Sequence, residues 1–221
     1  MKNNSGFLLT GLILLVVGCG KPPLFENGSF TDTRDNHIYK QVTIGDQIWM
    51  GENLAFLPVV SPSAEGSDST LYYYVYGYQG TNANEAKTGG NYSTYGVLYN
   101  WEAARISCPP GWHLPDDEDW QTLHDFLDDW ATVGNKLKET GISHWTGPND
   151  KADNKSGFTG LPGGERSVSG RFSGIGSYAE FWTSTIIYPP FVKIRVLVTG
   201  LEVLGADHYD PANGFSVRCV K

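Results

Sequence analysis

The stretch CPPGWHLPDDEDWQTL, residues 108–123, constrains the chain more than any other. Pro109 and Pro110 have no amide hydrogen to give a helix, and each holds the residue before it in extended backbone, so a helix arriving from the N-terminal side must stop by Cys108. A new one can start only after Pro115. Asp116 suits the N-cap there, and Asp117, Glu118 and Asp119 crowd the first turn, where the helix dipole favours anions. Trp120, Leu123, Leu127 and Trp130 then recur at i, i+3, i+7 and i+10, one apolar stripe. On the near side, Leu98, Trp101 and Arg105 at helical spacing predict a helix over 97–106. Capping accounts for the acidic burst and burial for the stripe. The stretch reads as a seam between two helices, not as an active site.

The N-terminus constrains location. The run from Phe7 to Val17 is about eleven residues long, against the roughly twenty needed to span a bilayer. It follows Lys2 and ends in Val16-Val17-Gly18-Cys19, which resembles a bacterial lipobox. That resemblance implies cleavage before Cys19, a lipid thioether on its sulfur and acylation of the new amine (palmitate among the acyl chains). An ordinary secretory signal with an incidental cysteine is the alternative. Residues 1–18 are then a signal peptide and 19–35 a lipid-anchored tether, with one domain at 36–221. The expected location is the bacterial cell envelope, on the outer membrane, periplasmic or surface-exposed. Removal of residues 1–18 leaves 203 residues with a net charge of −9. That length supports one sizeable core. The charge argues against nucleic acid and against an electrostatic grip on anionic lipid.

With Cys19 lipidated, Cys108 and Cys219 remain, and an even pair in an exported protein is expected to bridge. A free thiol pair is the alternative. Further along, HIYKQVTIGDQIWMGENL predicts a hairpin turning at Gly45-Asp46 with type II′ geometry. Residues 57–94 read as a long excursion with one strand, and 140–180 as glycine-rich turns in which Gly163, Gly164 and Gly170 serve the backbone. EFWTSTII, VKIRVLVTGLEVL and GFSVRCVK predict strands. The fold class is α+β: two helices packed on a small mixed or antiparallel sheet, with long loops.

Chemistry-bearing motifs are sparse. His37, His113, His124, His144 and His208 are scattered, with no His-Glu-x-x-His helix and no Gly-x-Ser-x-Gly elbow. His113 reads as the partner of a local hydrogen bond. Tyr72, Tyr74, Tyr76 and Tyr78 are candidate ligand-stacking residues, against a half-buried strand as the plainer reading. Asp150 and Asp153 are candidates for a calcium site, against a solvated turn; no other metal or cofactor is expected. Trp101, Trp112, Trp120 and Trp182 are assigned to the core.

YGVLYNWEAA, CPPGWHLPDDEDWQTL, GNKLKE, GFTGLPGGERSVSGRFSGIGSYAEFWTST and GFSVRCVK occur in that order. Together they resemble the Fibrobacter succinogenes major paralogous domain, a family of exported bacterial proteins, over roughly 36–221. The resemblance implies a C-type lectin-like fold, shared more distantly with formylglycine-generating enzymes. In such folds a disulfide commonly joins the first helix to the last strand, where Cys108 and Cys219 fall. It implies no reaction. The function expected is therefore a non-catalytic envelope module that binds polysaccharide or an envelope protein. A structural or assembly component is the alternative. An oxidase-like enzyme would need two cysteines that this chain does not have to spare.

Overall fold

The structure, a computed structural model, describes residues 25–221; the apolar run, the lipobox and Cys19 lie outside the described residues. Strands β1 (Phe25–Thr31), β2 (Ile38–Ile44) and β3 (Gln47–Met50) form an antiparallel sheet in that order. The β2–β3 turn falls at Gly45-Asp46 as expected. Gly45 has φ +64°, whereas Asp46 does not enter the positive-φ region, the sign pattern of type II′ rather than I′. Residues 25–31, within the stretch expected to be a tether, form β1, which pairs along β2 from Phe25↔Ile44 to Thr31↔Ile38. Its polar sequence hides it, since an edge strand needs only backbone hydrogen bonds.

The excursion holds β4 (Tyr73–Tyr74) and two short helices, α1 (Ala83–Ala86) and α2 (Gly90–Tyr95). β5 (Leu98–Tyr99) pairs with β4, so the expected helix starts late: α3 spans Trp101–Ser107, with the Asn100 side chain accepting from the Ala103 amide. The prolines end it as predicted, with Cys108 in extended backbone.

Helix α4 (Asp117–Leu127) carries a reciprocal capping box: Asp116 Oδ1 accepts from the Asp119 amide at 2.9 Å, and Asp119 Oδ2 accepts from the Asp116 amide at 3.0 Å. Asp116→Ala is expected to lower stability by about 1 kcal/mol in urea unfolding, and Asp116→Ser by much less. Trp120, Leu123 and Leu127 are buried, but Trp130 is 61% exposed. Asp128 and Asp129 take positive φ and end the helix before the stripe completes its third turn. Trp130 instead lays its ring 3.5 Å from that of His124.

After α5 (Val133–Leu137) come β6 (Glu165–Arg166) and β7 (Phe172–Ser173), then β8 (Tyr178–Tyr188), β9 (Phe191–Val198) and β10 (Gly205–Tyr209), an antiparallel sheet in the order β10-β9-β8. Gly164 has φ +66°, and a side chain there would strike the Ser173 carbonyl. The architecture is mixed α and β, with few helices and small antiparallel sheets. Among the described residues no helix is long and apolar enough to cross a membrane.

The C-terminal segment is not a strand of either main sheet. It runs between elements and stitches them: Phe215 bridges Tyr99, Ser216 bridges Phe181, and Val220 bridges both Trp49 and His113. The Leu54 amide donates to the Val217 carbonyl and the Met50 amide to that of Cys219. Phe215, Val217 and Cys219 enter one core cluster with Tyr39, Tyr99 and Trp182. Val220 enters a second with Trp49, Trp120, Phe158 and Phe181. The Cys108–Cys219 disulfide, Cα–Cα 5.8 Å, ties this segment to the end of α3. Trp120 and Trp182 are fully buried, but Trp101 and Trp112 sit at the rim of the core. The polar edge of Trp101 explains its place: its Nε1 donates to the Thr183 carbonyl at 2.9 Å and Arg105 lies over its outer face. Trp112 stacks on Phe30 instead, with ring centroids 4.4 Å apart.

Candidate functional site

The site is built on a buried cation. Arg218 is fully buried beneath Phe158 and Phe181. Its Nε donates to Asn53 Oδ1 at 2.8 Å, and its terminal nitrogens donate to the carbonyls of Met50 (3.1 Å), Thr159 (2.7 Å) and Phe158. Burial pushes its pKa down to about 9, which still leaves the group a cation at neutral pH. A planar fork of five donors can serve acceptors on two segments at once, which an ammonium on the same stem cannot. Asn53 extends the network by donating from Nδ2 to the Tyr95 carbonyl at 3.0 Å and to Ser216 Oγ at 3.3 Å. Thr159 is held at φ +53° by Asn154, whose Oδ1 accepts its amide and whose Nδ2 donates to its hydroxyl, both at 2.9 Å.

Over this frame lie two adjoining clefts of about 390 and 420 Å³ that share Lys40, Gly51 and Thr159. The first is walled by His37, Glu52, Tyr92, Glu139 and His144. His144 Nδ1 lies 2.9 Å from both Glu139 oxygens, and His37 Nε2 lies 3.3 Å from Glu52 Oε1. The Glu139 carboxylate therefore orients the His144 ring through Nδ1, leaving Nε2 outside that pair. The Tyr92 hydroxyl donates to the Ala55 carbonyl at 2.9 Å, and burial raises its pKa. The second cleft is lined by Asn27, Gln41, Asn154, Lys155 and Ser156. Amides, hydroxyls, two lysines and half-exposed histidine–carboxylate pairs offer hydrogen bonds here, beside apolar surface from Ala55, Tyr92 and Leu161.

The tyrosines singled out from the sequence do not line these clefts. Tyr74 is fully buried, its hydroxyl donating to the Glu65 carbonyl at 2.7 Å beneath the Arg166 guanidinium, so it is withdrawn as a ligand-stacking residue. Tyr72 packs beside it. Tyr76 lies against Phe172, and the Tyr78 hydroxyl donates to Glu85 Oε2 at 2.9 Å; these two edge a separate shallow depression. Two-residue alternation fails here because only Tyr73 and Tyr74 are in a strand. Asp153 pairs with Lys155 at 2.8 Å, Asp150 is exposed, and among the described residues no three His, Cys, Asp or Glu come together to hold a metal ion. His113 does make a local bond, to Asp119 Oδ2 at 3.1 Å. Sequence reading saw His37 and His144 only as scattered, and missed Arg218 and Asn53 altogether. The sole local signal was Glu139, five residues before His144.

The model of the Fibrobacter succinogenes major domain matches residues 42–221. The chain belongs to this family. No curated protein and no solved structure matches it. The matched span of the Fibrobacter succinogenes major domain contains Arg218, Asn53, both disulfide cysteines and the Glu139–His144 pair. It leaves out Asn27, His37, Lys40 and Gln41, so the β1–β2 side of the clefts is contributed from in front of the matched span.

Proposed function

We propose that the protein is an exported lipoprotein, held through Cys19 at the outer membrane of a bacterial envelope, whose domain is a non-catalytic binding module for a hydroxyl-rich glycan. The observation that carries this reading is the pair of adjoining clefts lined by amide, hydroxyl, ammonium and paired imidazole–carboxylate groups. Sugar hydroxyls both donate and accept, and such a lining offers both. A C-type lectin-like arrangement is part of the proposal, supported by the bridge from the end of α3 to the C-terminal segment. Binding is favoured over oxidase-like chemistry because Cys108 and Cys219 are engaged with each other. A second reading, docking of an envelope protein, is favoured by one feature: Ile186, Ile187 and Tyr188 stand exposed together near the β8–β9 turn.

The test is a polysaccharide binding screen of the full chain in detergent, with and without calcium. Saturable binding is expected, unchanged by chelator, with His144→Ala weakening it about tenfold or more and Tyr78→Ala leaving it intact. A folded, disulfide-intact protein that binds no glycan, or one whose binding depends on Tyr78 and ignores His144, overturns the reading.

A further inference from the structure

Away from the clefts, the β8–β10 sheet buries a carboxyl group that nothing neutralises. Glu180 on β8 is only 6% exposed, and its Oε2 makes no hydrogen bond. Register places it on a defined face. Glu180 pairs with Val196, and Val196 with Gly205, while Trp182, Ile194 and Asp207 form the next row on the same face. Asp207 is exposed, and Gly205 leaves the edge strand β10 without a side chain in line with Glu180. Glu165 on β6 approaches from the neighbouring segment, where the Gly164 amide donates to the Tyr178 carbonyl at 2.9 Å; its Oε1 accepts from Ser173.

The charged groups that bear on Glu180 are Glu165 on β6 and Asp207 on β10; the Tyr209 hydroxyl feels the same carboxyls, and His208 Nδ1 lies 3.7 Å from the Asp207 carboxylate. The cations of this sheet lie on the other face. Arg195 pairs in register with Phe181, and Arg195 and Lys193 both bind Asp117 of α4. Burial, reinforced by Glu165 and Asp207, raises the Glu180 pKa to about 8. Burial, with Glu180 next in order, raises that of Tyr209 to about 12. A buried carboxylate without a counter-charge is among the more expensive features a fold can carry.

We infer that this face is a recognition site for an arginine side chain of a protein partner, distinct from the glycan cleft. The geometry selects that occupant. Among the described residues no three carboxylates come close enough to share a metal ion, so a compact cation cannot satisfy all of them. A guanidinium spreads its charge over a planar fork and, seated at the rim of this face, lies within electrostatic reach of the buried Glu180 carboxyl and of Glu165 and Asp207 together. Tyr178, 43% exposed, and Tyr209 supply ring faces for such a cation. The edge strand β10 also offers unpaired backbone groups to the segment that would carry the arginine.

The test uses the full chain in detergent micelles with acetyl-Gly-Arg-Gly-amide as probe and its citrulline counterpart, an uncharged near-isostere, as control. Side-chain carboxyl resonances are followed by NMR at pH 6 and pH 9. The arginine probe is expected to shift the Glu180 resonance saturably at pH 9, binding about tenfold more tightly than at pH 6, where the carboxyl is protonated. The citrulline probe should not bind, Glu180→Gln should remove the pH 9 gain, and His144→Ala should leave it intact. Should Glu180→Gln fail to fold, the doubly substituted Glu165→Gln/Asp207→Asn protein, altered only at less buried positions, must weaken binding at pH 9. No binding of the arginine probe at pH 9, equal binding of citrulline, or indifference to these substitutions overturns the proposal. Glycan binding in the clefts stands or falls independently of any of these outcomes.

Discussion

Replacing Arg218 by methionine will lower the stability of the fold by about 3 kcal/mol, because several buried acceptors lose their donor at once. The side chains are similar in volume, so the loss does not come from a large cavity. It comes from the acceptors left behind: Asn53 Oδ1 and the carbonyls of Met50 and Phe158, all buried, and the carbonyl of Thr159 at the edge of the clefts. An orphaned buried acceptor costs about 1–3 kcal/mol, and relief of the desolvated cation returns part of the sum. Arg218→Lys should recover only a minor share, because one ammonium cannot bridge the 50–53 and 158–159 segments together. Urea unfolding followed by tryptophan fluorescence measures both variants. A loss below 1 kcal/mol for methionine would show that the carbonyls find other donors and that Arg218 does not frame the cleft. The same substitution should abolish the proposed glycan binding even below the unfolding midpoint, since it releases Asn53 and Thr159 from the cleft floor.

Removing the disulfide will have an effect of the same order by a different route. Cys108 and Cys219 are 111 positions apart, and closing a loop of that length in the unfolded chain lowers its entropy by the equivalent of about 4–5 kcal/mol in the chain-entropy model. The comparison is the urea midpoint of the wild-type protein against Cys108→Ala/Cys219→Ala. Cys219 is fully buried, so mild reductant should act slowly on the native protein and quickly once urea opens it. Equal midpoints would refute a stabilising role. The double alanine variant and Arg218→Met should combine less than additively, because both release the same C-terminal segment.

Local chemistry was legible wherever a single turn decides it. The proline break, the Asp116 cap and the Gly45 turn depend on residues within a few positions of one another, and each stands where the sequence puts it. Patterns extrapolated over longer stretches failed at their ends. The α4 stripe predicted a buried Trp130, but two residues with positive φ intervene. Alternating tyrosines offered either ligand-stacking rings or a half-buried strand, but the strand there is two residues long and Tyr74 turns inward against Arg166. The first strand went unseen because its polar residues are those of an edge, where backbone pairing replaces hydrophobic signal.

The amino-acid order is thus sufficient for the family, the seam between helices, the caps and the pairing of two cysteines. None of these needs more than short-range geometry, a run of ordered motifs or, for the cysteines, the place where the family resemblance puts such a bridge. The clefts and the Glu180 face were decided only in three dimensions. An arginine in GFSVRCVK reads as a surface cation until four acceptors more than fifty residues away converge on it, and Glu180 reads as an ordinary strand glutamate until the sheet places acids around it and its cations on the far side. Burial of charge is a property of what surrounds a residue, and those surroundings are assembled from parts of the chain that no local pattern connects.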